Sequence, residues 1–361
     1  MEQDWVDHPQ DIRAGEELDI AKLEEYVKDH LPELAGDVIV KQFPSGHSNL
    51  TYLLQVGDRE VVLRRPPFGR EIKTAHDMGR EYHILSHLAP VYSRVPKPLT
   101  YCEDDSVLGA PFYIMERLTG VILRAVPPKG MDLSFQTMAS LSNAFIENLT
   151  AIHNVDIEAA GLSEFGHPEG YVERQIHGWT KRYYDAQTDE IQEIDEVVEW
   201  LDKNIPSESG AALIHNDYKY DNLVLDPLNL SNILGVLDWE MGTIGDPLMD
   251  LGTTLGYWID SDDPPEMKAL AFTLTVLPGN LKRIELAERY GEIRGCELSD
   301  LLFYYVYALF KIAVIVQQIY ARYKAGYSKD ERFSIMIQVV RVMGGVATRA
   351  LDLGRIDRLG G

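Results

Sequence analysis

The chain of 361 residues is poor in cysteine: Cys102 and Cys296, far apart, are the only two. That scarcity excludes a disulfide framework and a cysteine-based zinc site. Cations are also in short supply. Lys plus Arg number 34 against 57 Asp plus Glu, a formal net charge of −23. Nucleic-acid and anionic-membrane binders need a basic face, so both classes are disfavoured. A nucleotide ligand stays open, because a metal ion mediates between carboxylates and phosphates. No Gly-Lys pair occurs, which removes the Walker A loop, and no Gly-x-Gly, which removes the dinucleotide fingerprint and any strict multi-glycine phosphate loop. His-Glu-x-x-His, Gly-x-Ser-x-Gly, internal repeats and low-complexity tracts are missing too. The N-terminal residues lack a basic start followed by an apolar run, so no secretory leader is expected and the cytoplasm is the expected compartment. The most apolar stretch, residues 301–316, is interrupted by Lys311 and carries three tyrosines. It reads as a buried helix, too short and too polar to span a membrane.

What remains is the composition of an ordinary soluble globular protein, 45% hydrophobic and 25% charged. At about 150 residues per domain, the length suggests two domains or two lobes. Leu18, Leu23, Tyr26, Val27 and Leu31 repeat at helical spacing. The period then changes, and residues 38–43, 50–56 and 61–63 predict three strands. The first gap is a polar turn, residues 44–49; the second, Gly57-Asp58-Arg59, is a tight hairpin turn. A helix is expected over 75–88, with Thr74 and Asp77 as its capping box. Tyr101, Val107-Leu108 and residues 111–115 suggest two more strands. The remainder is mostly helical, with residues 141–152 and 191–201 clearly amphipathic. The expected division is residues 1–115 as a sheet lobe, 116–120 as a connector and 121–361 as a helical lobe. Such an arrangement implies a cleft.

One segment breaks the helical pattern. Residues 223–225 and 233–237 are apolar runs around a turn containing Asp226-Pro227, and they read as a hairpin. A turn centred near 228–230 sets Asn222 opposite residues 236–238, so Asn222 and Asp238 share one end of it. Asp217 lies five residues earlier, on the loop feeding the first strand. Oxygen-bearing side chains gathered in this way suit a hard cation such as Mg2+, which takes one or two protein carboxylates plus substrate phosphates. Asp217 is then left to accept a proton from an attacking hydroxyl. A second carboxylate stands out on the 75–88 helix. Glu81 falls inside the apolar stripe of Met78, Tyr82, Leu85 and Leu88, and a carboxylate on a buried face needs a partner.

The spacing His215-x-Asp217-x4-Asn222, followed by Val236-Leu237-Asp238-Trp239-Glu240, resembles the aminoglycoside phosphotransferase and choline kinase family. The variant looks closest to the kinase-like domain found with some acyl-CoA dehydrogenases. Residues 42–51, 62–67 and 245–251 fit the same pattern, and the resemblance covers about residues 35 to 340. It implies an α+β, two-lobed protein-kinase-like fold and an ATP- and Mg2+-dependent transfer of phosphate to a small-molecule hydroxyl.

Carried over residue by residue, the resemblance makes Asp217 the catalytic base, with Asn222 and Asp238 as Mg2+ ligands. The turn Ser45, Gly46, His47, Ser48 and Asn49 would cover the ATP phosphates, with a single glycine and so a looser grip. Arg64 stands where the strand-three lysine of kinases is expected, and arginine also grips phosphate. Arg65 faces the opposite side of the strand. Glu81 would pair with Arg64. Met115 and Glu116, with Arg117, would form the hinge that meets adenine. Lys219 would contact the transferred phosphate or else face solvent. His215 would brace the loop, Asp246 and Asp250 would cap or brace, and Glu240 is a possible extra contact. The acceptor is expected to be a hydroxyacyl compound rather than an aminoglycoside. Aromatics at 171–184, 257–258 and 304–307 are either its walls or core. The alternatives are a non-catalytic nucleotide or metabolite sensor on the same fold, and transfer of a different nucleotide moiety.

Overall fold

The computed structural model describes residues 5–34, 36–44, 49–68, 78–270, 274–327 and 330–360. Ser45, Gly46, His47 and Ser48 of the expected phosphate turn, and Thr74 and Asp77 of the expected capping box, lie outside the described residues. The chain forms two compact units. One comprises Met1–Ile122, Asp156–Leu162 and Asn222–Gly242; the other comprises Leu123–Val155, Ser163–Asp221 and Thr243–Gly361.

In the first unit, helix α1 (Ile20–His30) starts where the Asp19 side chain accepts from the Lys22 amide. Strands β1 (Val38–Gln42), β2 (Leu50–Val56) and β3 (Arg59–Arg65) follow, then α2 (Met78–Leu88), β4 (Pro98–Cys102), α3 (Asp105–Leu108) and β5 (Phe112–Glu116). The five strands form one antiparallel sheet in the order β1-β2-β3-β5-β4. β3 is therefore central, with β2 and β5 beside it. The turn before it is tighter than expected. Val56 pairs with Arg59, leaving Gly57, at φ +58°, and Asp58 as a two-residue loop. Val107 and Leu108, expected in a strand, instead close the short helix α3. Asp104 caps its first turn through the Ser106 amide, and Gly109 ends it in the left-handed region. Local capping chemistry there overrides the β-propensity of a lone valine. Leu23, Tyr26, Val27, Tyr52, Leu54, Leu63, Phe112 and Ile114 form the core of this unit.

The hairpin at Leu223–Asp226 and Asn229–Val236 also belongs to the first unit. Its turn is Pro227-Leu228, earlier than the expected centre. Register shifts at Val224/Leu225 and Leu225/Asp226 absorb the difference, so Leu223 pairs with Val236. The Leu237 amide donates to the Asn222 carbonyl at 2.8 Å. Asn222 and Asp238 thus lie at the same end of the hairpin.

The second unit is helical: α4 (Phe135–His153), α5 (Tyr171–Ala186), α6 (Gln192–Lys203), α7 (Pro247–Tyr257), α8 (Pro265–Lys268), α9 (Arg283–Arg294), α10 (Leu301–Lys324) and α11 (Met336–Leu353). Two three-residue strands, Ala212–Ile214 and Thr243–Gly245, pair antiparallel and escape sequence reading, being too short to show a period. The apolar stretch around 301–316 extends to 24 residues as α10, so shortness does not exclude a span. Burial places it as a core helix, with 78% of its most apolar window inside the protein. Residues 331–353 also meet the length and composition of a span, with 44% of their window buried.

Helix α7 approaches α10 closely because Gly252 and Gly256 line the contact. A Cβ at Gly252 would lie 2.5 Å from the Tyr304 carbonyl oxygen, and one at Gly256 would lie 2.7 Å from the Ala308 Cβ. We expect Gly252→Val to destabilise the protein by about 1–3 kcal/mol through overpacking. Urea unfolding would read this as a lower midpoint, and an unchanged midpoint would contradict the close packing.

Candidate active site

In the first unit, three elements meet at one buried cation. Arg64 on β3 is 8% exposed, and the alternation that sends Arg65 to the other face directs Arg64 toward α2 and the end of the hairpin. Its Nη1 forms an ion pair with Glu81 Oε1, and its Nη2 lies 2.9 Å from Asp238 Oδ1 and 3.9 Å from Glu240 Oε2. Glu81, 1% exposed, also accepts from the Trp239 amide at 3.1 Å. The partner that the Glu81 stripe position demands is therefore present. Burial works against the charge on Arg64, but Glu81, then Tyr113, Asp238 and Glu240, outweigh it and raise its proton affinity well above the ordinary value. Asn49 donates to Glu240 Oε2 at 2.7 Å, which draws the last residue of the expected phosphate turn into the same cluster. Arg65, by contrast, is a structural residue. It donates to the Pro66 and Leu108 carbonyls and lies 3.7 Å over the Phe68 ring.

Asp238 takes up φ +67° and ψ +58°, in the left-handed region. For a residue other than glycine this conformation carries strain, tolerated where the surroundings over-determine it. Here the hairpin end, the Arg64 contact and the Trp239–Glu81 hydrogen bond do so. Asn222 sits across the hairpin end, 8% exposed. Both side chains offer oxygen to a cation. Two protein ligands supplemented by phosphates is the usual complement of Mg2+, so the donor set fits that ion.

Met115 and Glu116, expected at a hinge, still belong to β5, where they pair with Val62 and Val61. The Glu116 amide donates to the Lys97 carbonyl at 2.8 Å. A contact from Glu116 to a base would therefore use its carbonyl rather than its amide.

In the second unit, the segment from His215 to Asp221 is held by its backbone. The amides of His215 and Asn216 each donate to the Asp250 carboxylate at 2.7 Å. Asp250 is fully buried on α7. His153 Nε2 lies 3.0 Å from it, and His153 Nδ1 lies 2.7 Å from the Tyr290 hydroxyl. Burial opposes the Asp250 charge, yet His153 and the backbone donors hold its carboxyl below the usual range. Asp246 caps α7 through the Leu248 amide and accepts from Ser209 Oγ at 2.6 Å. His215 Nδ1 accepts from the Asp217 amide at 3.2 Å, which is the bracing contact expected of it.

Asp217 is ion-paired with Lys219, whose Nζ is 2.9 Å from Oδ2. Nζ also lies 4.8 Å from the Tyr257 ring centre. Burial disfavours the Lys219 charge, but Asp217 more than compensates and raises its proton affinity. Lys219 is thus turned to the carboxylate rather than to solvent. Tyr304, Tyr305 and Tyr307 are buried in α10 and belong to the core. Sequence reasoning missed Asp221, whose carboxyl burial pushes up to about 6, with Asp217 adding to the rise and Lys219 opposing it. It noted Lys311 only as an interruption of the apolar stretch, whereas the structure makes it a buried cation. A lone charge in such a run was the available signal.

Residues 39–282 match the model of the phosphotransferase enzyme family. The chain belongs to that family. It is 34% identical to rat acyl-CoA dehydrogenase family member 11 over 98% of this chain and 46% of the relative, so it spans about half the length of that curated relative. A solved putative aminoglycoside phosphotransferase from Ralstonia eutropha is 31% identical, with a TM-score of 0.77 over 91% of this chain and 96% of that one. A ternary complex of aminoglycoside phosphotransferase APH(4)-Ia with AMP-PNP and hygromycin B shares the fold, with 16% identity and a TM-score of 0.56 over 91% of this chain and 98% of that one. The fold of this family member is the two-lobed, protein-kinase-like α+β fold, which supports small-molecule kinase activity in general.

Replacing Arg64 with Met would leave the Glu81 carboxylate buried without its cation. We expect a loss of about 3–5 kcal/mol in urea unfolding. The double variant Arg64→Met/Glu81→Leu should recover most of that loss. Additive losses would show that the two side chains do not act as a pair.

Proposed function

We propose that this phosphotransferase uses ATP and Mg2+ to phosphorylate a hydroxyl of a small molecule, with Asp217 as the base. The observation that carries this reading is the Arg64 cluster, which ties Glu81 and Asp238 together at the hairpin end shared with Asn222. Asp217 accepts the proton of the acceptor hydroxyl as its oxygen bonds to the γ-phosphorus. The bond from that phosphorus to the β,γ-bridging oxygen breaks, and ADP leaves with the electron pair. Asn222 and Asp238 would hold Mg2+, which neutralises phosphate charge when bound. Lys219 orients Asp217 and offers a cation to the transferred group; Arg64 offers a second one to the nucleotide phosphates. Ser45, Gly46, His47, Ser48 and Asn49 would cover those phosphates. Backbone groups at Met115 and Glu116 would meet adenine. The complex of APH(4)-Ia with AMP-PNP supports ATP as the donor.

For the acceptor, a hydroxylated acyl compound is favoured over an aminoglycoside, because the relatives matched over 80–98% of this chain are named acyl-CoA dehydrogenases. A second reading, nucleotide binding without transfer, is favoured by one contact. The cation that replaces the usual lysine is engaged by Asp238 itself.

ATP consumption with Mg2+ should be measured against hydroxyacyl thioesters, free hydroxy acids, choline and aminoglycosides. Asp217→Asn should lower kcat by about 10²- to 10⁴-fold with the true acceptor, and wild-type turnover in that variant would end the base assignment. Asp238→Ala should abolish Mg2+-dependent ATP binding in calorimetry; unchanged binding would remove it from the metal site. Mg2+-dependent binding without turnover on any acceptor class would favour the second reading.

A further inference from the structure

Lys311 stands out in α10. It is 2% exposed, and its neighbours along the helix are apolar. Nζ donates to the Asn216 carbonyl at 2.9 Å and lies 5.8 Å from the Trp179 ring centre. Among the described residues it makes no other hydrogen bond. Asn216, immediately before Asp217, adopts φ +67°. Its amide is held by Asp250, and its side chain meets the Tyr171 hydroxyl, with Nδ2 at 3.2 Å. The carbonyl is the remaining backbone group, and it points into an interior where an unmet acceptor is costly. A buried ammonium is an expensive way to satisfy one carbonyl; a serine or a water would do so without a charge to desolvate.

We propose that Lys311 is a positioning residue of the phosphotransfer site, clamping the Asn216 carbonyl so that the Asp217 carboxylate stays aligned for proton transfer. The proposal rests on Asp217 acting as the base. The clamp is charge-assisted, and such hydrogen bonds are about twice as strong as neutral ones. Its strength therefore follows the protonation of Lys311. Burial pulls that pKa down to about 8, against the pull of Asp250 on α7 and Asp217 on the loop, while Lys219 on the loop and Arg182 on α5 add to the fall. Below pH 8 the ammonium holds the carbonyl. Above it the neutral amine holds it less firmly, so kcat should fall as pH rises through about 8.

The test compares wild type, Lys311→Met and Lys311→Arg in the full chain. In Lys311→Met, kcat should fall about 10- to 100-fold, the range that a charge-assisted hydrogen bond is worth. KM for ATP and the calorimetric affinity for Mg2+-ATP should not change. The alkaline limb near pH 8 should vanish in Lys311→Met. In Lys311→Arg it should move beyond the alkaline range, with much of kcat restored. Amide hydrogen exchange at pH 6.5 is a readout independent of any acceptor. Residues 215–217 should exchange about 10- to 100-fold faster in Lys311→Met, while α7 and α10 keep their protection. Unchanged exchange in that segment, or an alkaline limb that persists in Lys311→Met, would overturn the proposal. If wild type shows no transfer to any acceptor, the kinase reading fails, while exchange still decides whether Lys311 holds the loop.

Discussion

The first unit is organised around a guanidinium that cannot be left alone. Arg64 sits on the central strand of the sheet, where burial would make an unpaired charge prohibitively costly. Its partners must come from outside the sheet, and they do: Glu81 from α2, Asp238 from the end of a hairpin almost 160 residues further along the chain. Glu81 in turn accepts from the Trp239 amide. These contacts fix the orientation of α2 and hold Asp238 in a conformation that a free chain would rarely adopt. A buried ion pair of this kind adds little net stability over an apolar packing of the same volume. Its effect here is geometric, because charges in a low dielectric tolerate only a narrow set of positions.

The second unit solves a similar problem with a carboxylate. Asp250 accepts the amides of His215 and Asn216 and the His153 ring, so one side chain on α7 anchors the loop that carries Asp217. The anchor depends on packing: α7 can lie close to α10 because Gly252 and Gly256 present no side chains there. Lys311 on α10 then reaches the carbonyl of Asn216, the residue whose amide Asp250 holds. Helix packing, backbone hydrogen bonding and the placement of one carboxylate are in this way a single linked set.

Phosphoryl transfer asks a protein for alignment and charge neutralisation more than for covalent chemistry. Under the proposed function both clusters serve that need in different ways: one would fix acidic oxygens and a cation for phosphate, the other would fix a base with its own lysine. An arginine on β3, where the resemblance leads one to expect a lysine, makes the cation a fork rather than a point. A fork can engage Glu81 and Asp238 together, as it does here, which a single ammonium does less readily.

The elements that a local pattern can encode were legible in the sequence. Short apolar runs after the change of period pointed to β1, β2 and β3, and the apolar stripe to α2 with Glu81 inside it. The spacing His215-x-Asp217-x4-Asn222, with Asp238 beyond, pointed to phosphotransfer chemistry, and the hairpin pattern to a shared end for Asn222 and Asp238. The three-residue strands at 212–214 and 243–245 were too short to leave a period. Val107 and Leu108 were claimed by the caps at Asp104 and Gly109. Tertiary structure alone decided which charges meet: that Arg64 holds Asp238 as well as Glu81, that Lys219 turns to Asp217, and that Lys311 reaches Asn216. The physical reason is range. Propensity, periodicity and capping act over a few residues and are written locally, whereas a buried charge selects its partner by where distant segments bring an opposite charge or a backbone dipole.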